Sequence, residues 1–195
     1  MNKIIVVIVL LFSTMVGAQS GLTKRAFRNS EGGWLLSAGV NVVGSLGTRN
    51  PFERVDEFAF RQPLALAIEH RWSNDFSIEQ DITFNGFPAG EFFDNGIPED
   101  DIFYFSTNTS VKWYYSDYLF DARWLDLYVG TGVGIFTMDE LNTSGNLSVG
   151  SVFWLNATRS IGIKAQATGK FAVNADNRRF DNNHFQYNLQ AVFRL

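Results

Sequence analysis

From Trp34 to Leu195 the chain alternates apolar and polar residues in eight segments, and the connectors between them run alternately long and short. All five Trp fall at segment ends beside the short connectors or the first segment's start. Together these observations predict an all-β fold, an eight-stranded antiparallel up-and-down transmembrane β-barrel, over residues 34–195.

The residues before it read as an address. Lys3 gives a positive start, Ile4 to Phe12 is an apolar run, and Val16-Gly17-Ala18 supplies the small residues of a cleavage site. The run falls short of the ~20 apolar residues of a spanning helix, which argues against an uncleaved anchor. Residues 1–18 are therefore expected to be a signal peptide. Residues 19–33, with Lys24, Arg25 and Arg28, are expected to form a periplasmic arm.

Each strand follows from period two. Trp34, Leu36, Ala38, Val40 and Val42 share one face of the first strand. In the second, Leu64, Leu66, Ile68 and Trp72 oppose Ala65, Ala67, Glu69 and Arg71. The third sets Phe76, Ile78, Ile82 and Phe84 against Ser77, Glu79, Asp81, Thr83 and Asn85. The fourth sets Phe103, Phe105, Val111 and Trp113 against Ser106, Asn108, Ser110 and Lys112. Leu125, Leu127, Val129, Val133 and Ile135 oppose Asp126, Gly130, Gly132 and Gly134 in the fifth. The sixth has Leu147, Val149, Phe153 and Leu155 on one face, with Asn146, Ser148 and Gly150 on the other. In the seventh, Ile161, Ile163, Ala165, Ala167, Phe171 and Val173 face away from Lys164, Gln166, Thr168 and Lys170. The eighth alternates Phe185, Tyr187, Leu189, Ala191, Phe193 and Leu195 with His184, Gln186, Asn188, Gln190 and Arg194.

A soluble sandwich alternates too. Here the polar face mixes both charge signs with small residues, which suits a narrow, crowded interior. Residues 45–62, 86–101, 138–145 and 174–183 form the long connectors, and 73–75, 116–123 and 156–160 the short ones. Short periplasmic turns, long extracellular loops and an even strand count place both termini in the periplasm. Trp34, Trp72, Trp113, Trp124 and Trp154 are expected to form the aromatic girdle at that interface. A last strand as apolar as Phe185–Leu195 also demands closure against the first, since an open edge invites aggregation. Pro51, Pro88 and Pro98 lie in long loops and Pro63 opens the second strand, as ladder hydrogen bonding requires.

Composition excludes several functions. The 195 residues include no Cys, so disulfides, thiolate metal sites, a Cys nucleophile and a lipidated Cys are all ruled out. A formal charge of −4 without a basic cluster speaks against nucleic acid. The chain is 46% hydrophobic, yet its mean hydropathy is −0.05, as expected when apolar residues are interleaved with polar ones.

The runs Trp34–Val43 (WLLSAGVNVV), Trp124–Phe136 (WLDLYVGTGVGIF) and His184–Leu195 (HFQYNLQAVFRL) resemble the OmpA-type eight-stranded outer-membrane barrel in its Bacteroidota and flavobacterial version. The resemblance spans about Gly33 to Leu195 and departs from the pattern in ending on Leu rather than Phe, with Phe193 on the same face. It implies residence in a Gram-negative outer membrane, insertion by the barrel-assembly machinery, and contact with outer-membrane lipids and lipopolysaccharide. The peptidoglycan-binding domain that often follows such barrels is expected to be lacking, so cell-wall tethering does not carry over.

The predicted lumen holds Glu69, Glu79, Asp81 and Asp126 against Arg71, Lys112, Lys164, Lys170 and Arg194. In an eight-stranded barrel this reads as a salt-bridged plug in preference to a conducting pore. Gly130, Gly132 and Gly134 read as sites of curvature and room for long neighbours rather than a ligand groove. Some eight-stranded barrels are lipid A-modifying enzymes, which need His beside Ser or an acid at one interface. His70, on the outward parity near the periplasmic end, and His184, at the lumen mouth, form no such site. Neither a catalytic residue nor a cofactor is expected. Loop 86–101 is acidic, and Asp94, Glu99, Asp100 and Asp101 are the candidate cation ligands, with ordinary solvation the competing reading. Its Phe87, Phe92 and Phe93 are expected to be exposed contacts for a partner or the outer leaflet. The sequence thus predicts a non-enzymatic barrel with a structural or scaffold role. The alternative is a subunit of a larger outer-membrane complex for secretion, protein insertion or nutrient uptake, joined to other outer-membrane proteins; a narrow channel ranks third.

Overall fold

A computed structural model describes residues 33–44, 50–52, 54–91, 97–120, 122–138, 140–173 and 183–195. The expected signal peptide and residues 19–32 of the arm lie outside the described residues, as do Phe92, Phe93 and Asp94.

The strands are β1 (Gly33–Val43), β2 (Leu64–Arg71), β3 (Phe76–Phe87), β4 (Ile102–Tyr114), β5 (Leu125–Thr137), β6 (Leu141–Trp154), β7 (Ile161–Ala172) and β8 (His184–Arg194). One helical turn, α1 (Ser116–Leu119), interrupts the β4–β5 connector. Every neighbouring pair is antiparallel, and β1 pairs with β8 from Leu35↔Arg194 to Val43↔Gln186. The sheet is a closed barrel with strands in sequence order. Closure gives each strand two partners and removes the edges that a sheet of such apolar strands would expose.

Alternation sends the two faces to opposite solvents. Leu36, Leu66, Ile68, Ile82, Val133, Leu147, Ile163 and Leu189 are exposed on the outside, whereas Lys112, Lys164, Lys170, Glu69 and Glu79 are buried inside. A water-soluble barrel has the reverse arrangement. Charged side chains inside and branched aliphatics outside are stable only where the surroundings are hydrocarbon.

The start of β1, the end of β8 and the β2–β3, β4–β5 and β6–β7 connectors share one end, the turn end; the other connectors share the loop end. Loop lengths depart from the expected alternation at one place. β6 begins at Leu141, so the β5–β6 connector is 138–140 rather than 138–145. The pairing continues through Thr137↔Leu141 and Gly132↔Asn146. Its outward positions Thr143 and Gly145 are not apolar, which hid the strand's first half from periodicity.

Candidate functional site

Three layers fill the lumen. In the middle, Lys112 donates to Glu69 Oε2 at 3.1 Å and Glu79 Oε2 at 2.6 Å, and Lys164 donates to the same Glu79 oxygen at 2.8 Å. Tyr114 OH donates to Glu69 Oε1 at 2.6 Å. The Lys112 ammonium also stands 4.3 Å from the Tyr128 ring centroid. These residues come from β2, β3, β4, β5 and β7, so the network ties non-adjacent strands across the barrel.

A second group sits toward the turn end. Asp126 Oδ2 accepts from Arg71 at 3.0 Å, from Trp154 Nε1 at 3.0 Å and from Arg159 in the β6–β7 turn. The Arg71 guanidinium lies 3.7 Å from the Tyr114 centroid, and Arg194 lies 5.0 Å from the Trp154 ring. Toward the loop end, Asn108 donates to Asp81 at 2.6 Å and accepts from Lys170 at 2.9 Å, and Lys170 also donates to Ser106 Oγ. The nine charged residues assigned to the lumen thus fall into three groups, eight of them buried and Arg194 half-buried. Periodicity missed Arg159, whose φ of 53° belongs to a turn, and the inward Tyr104, Tyr114 and Tyr128.

Apolar clusters close both ends. Leu35, Tyr114, Tyr128, Val152, Trp154 and Val192 pack at the turn end. Val43, Ala59, Phe87, Ile102, Tyr104 and Phe136 pack at the loop end. Ala59 comes from the β1–β2 connector, which folds into the mouth: Ala59 N–H donates to Val43 O at 2.8 Å, and Asn85 Nδ2 donates to Ala59 O at 3.0 Å. Asn85 further binds Asn41 Oδ1 at 2.7 Å and accepts the Arg61 N–H at 3.1 Å. Outside the barrel the same connector is held by Phe52 and Phe58 stacked on Tyr187, whose OH donates to Pro51 O.

Two assignments are corrected. Trp34, Trp72, Trp113 and Trp124 are exposed at the turn end, but Trp154 is inside, 5% exposed. It lies between the outward Phe153 and Leu155, and Asp126 accepts its indole N–H. Phe87 is 2% exposed rather than a partner contact, because β3 extends past Asn85 and carries it into the loop-end cluster.

The remaining candidates are dispersed. His70 packs against Trp34 at the turn end, with ring centroids 4.6 Å apart and the planes tilted by 54°. His184 lies inside at the loop end, its Nε2 2.8 Å from Tyr104 OH. Asp101 is salt-bridged to Arg61 and accepts the Ala89 N–H at 2.9 Å. That amide and the guanidinium hold its carboxyl below the ordinary carboxylate range. Glu99 and Asp100 are exposed, and among the described residues no group of three acidic or His side chains is placed to hold a metal. A Cβ at Gly132 would run into Thr109 O and Ser110 Cα of β4, and one at Gly134 into Asn108 and Thr107. These glycines admit close strand approach.

No protein-family model and no characterised protein matches the chain by sequence. Solved structures are similar in fold. The outer membrane protein OprG from Pseudomonas aeruginosa superposes with a TM-score of 0.59 at 10% identity, over 85% of this chain and 97% of that one. Neisserial surface protein A, NspA, gives a TM-score of 0.55 at 12% identity, over 83% and 95%. The N-terminal β-barrel domain of Pseudomonas aeruginosa OprF gives 0.52 at 10%, over 85% and 100%. What the chain shares with these proteins is the closed antiparallel eight-stranded barrel.

Proposed function

We propose that the protein is an integral outer-membrane barrel of a Gram-negative envelope, non-enzymatic, with a structural or scaffold role. One observation carries this reading: buried ion pairs cross the middle of the lumen and an apolar cluster packs at each end. The Lys112–Glu79–Lys164 bridge lies between two apolar clusters, and the β1–β2 connector is strapped into the mouth above them. A barrel plugged in this way works through its outer wall and its loops. On this reading residues 1–18 direct export, both termini are periplasmic, and the girdle Trp34, Trp72, Trp113 and Trp124 sits at the periplasmic interface. Barrel-assembly machinery inserts the chain, and lipids and lipopolysaccharide surround it. The test is envelope integrity: cells lacking the protein become sensitive to detergent and large antibiotics, and restored expression reverses this. Unchanged sensitivity counts against the role.

A subunit role is the second reading, favoured by the exposed Phe52, Val55, Phe60 and Ile97 in the loops, each more than half exposed. Apolar loop side chains at that level suit a protein partner. A stoichiometric companion in pull-downs from solubilised outer membranes would favour it over a free-standing barrel.

A further inference from the structure

The outer wall of β3, β4 and β5 is apolar near both ends and polar in its middle. Gln80, Thr107, Thr109 and Thr131 point outward between Ile78 and Val111 on the turn side and Ile82, Phe105, Val133 and Ile135 on the loop side. The register sets Gln80 opposite Thr109 and Val111 opposite Thr131, so the polar residues are neighbours. Gln80 Nε2 donates to Thr107 Oγ1 at 2.6 Å, Thr109 Oγ1 donates to Gln80 Oε1 at 2.5 Å, and Thr107 Oγ1 donates to Asp81 O at 2.8 Å.

At the rise and tilt of barrel strands, the stretch from Trp113 up to Thr109 climbs roughly 10 Å, near the middle of a ~25 Å apolar band. At that height the outer faces of β1, β2, β7 and β8 carry only aliphatic, small or aromatic side chains. Hydrocarbon offers such a carboxamide no hydrogen bond, and polar side chains within membranes join protein to protein. The Gln80 amide retains capacity in both senses. Its second N–H reaches Asp81 O at only 3.4 Å, and its oxygen has a further lone pair. A group that offers both a donor and an acceptor is complementary to itself. A single self-complementary patch per barrel closes as a twofold pair rather than propagating.

We propose that the β3–β5 wall, centred on Gln80, is the surface on which two copies of this chain associate side by side in the membrane, with their Gln80 amides paired reciprocally. Large apolar neighbours pack around the pair, and Thr109 and Thr131 lie at its rim.

The chain has no Cys, so one introduced thiol reports one position. Val111→Cys and, on the opposite wall, Ala167→Cys are each spin-labelled in the full-length chain, which is reconstituted in phosphatidylcholine vesicles at high lipid-to-protein ratio. Dipolar spectroscopy is expected to give a short interspin distance from Val111 and one longer by about two barrel widths from Ala167. Adding Gln80→Leu, which keeps the wall apolar, is expected to weaken association about tenfold. Absence of any dipolar signal, a short distance from Ala167, or a signal unmoved by Gln80→Leu overturns the proposal. Heat-modifiable gel migration of each variant separately reports whether the barrel is folded and embedded.

Discussion

Glu79 accepts from two buried lysines at once, which decides how its loss is felt. A buried ion network contributes little net stability over an apolar filling of equal volume, but deleting one partner strands the others. Glu79→Leu is therefore expected to destabilise the barrel by about 3–5 kcal/mol. Changing Lys164 to Met in the same chain recovers most of the loss, because Glu79 is the partner Lys164 loses while Lys112 keeps Glu69. Urea unfolding in lipid vesicles, followed by Trp fluorescence, measures both. Asp101 differs because it is exposed. Its folded carboxyl is depressed, so the Arg61 latch holds above the ordinary carboxylate range of about 4 and is lost as pH falls through the lower folded value. Protection of the Ala89 amide against hydrogen exchange is expected to persist at neutral pH and to fall severalfold in acid. Parity made the lumen charges legible in the sequence, since Glu69, Glu79, Lys112 and Lys164 sit on strictly alternating strands. The same parity points Trp154 inward, against the girdle position that its residue type and place at a strand end suggest. Arg159 had no parity to read, because it reaches Asp126 from a turn.

β5 meets β4 through glycines, and that contact sets what the strand tolerates. Gly132→Val drives its side chain into the β4 backbone at Thr109 and Ser110, and overpacking of this kind costs about 1–3 kcal/mol. The refolded yield of heat-modifiable protein is expected to drop, while Gly145→Val, where a Cβ meets nothing within 4 Å, leaves it near normal. Strand existence was readable from sequence wherever one face was uniformly apolar. β6 was readable only from Asn146 onward, because Thr143 and Gly145 interrupt its outer face. The entry of the β1–β2 connector into the mouth was not readable at all. Ala59 lies in no alternating run, and its place depends on Asn85 and Val43, which are distant in sequence.

The whole barrel is closed twice in series. Asn85→Ala removes the strap at the loop end, yet the turn-end cluster of Tyr114, Tyr128 and Trp154 remains. Planar-bilayer recordings are accordingly expected to show no steady openings for the native protein or for Asn85→Ala. Steady conductance in the native protein would count against the plugged lumen. The overall architecture was legible because it needs only strand count, parity and connector length. The two end caps were not, since each gathers residues from several strands.

The β1–β8 seam also governs the order of events in time. It joins Gly33–Val43 to His184–Arg194, the two strands most distant in sequence. Such a contact carries the greatest loop-closure entropy and forms slowly. Until β8 arrives, β1 has one unpaired, strongly apolar edge, and the partly made sheet is prone to stick to its neighbours. The partly made barrel is therefore open to association with other chains until its last residues are in place. A chain cut short before His184 is expected to form aggregates instead of a smaller barrel.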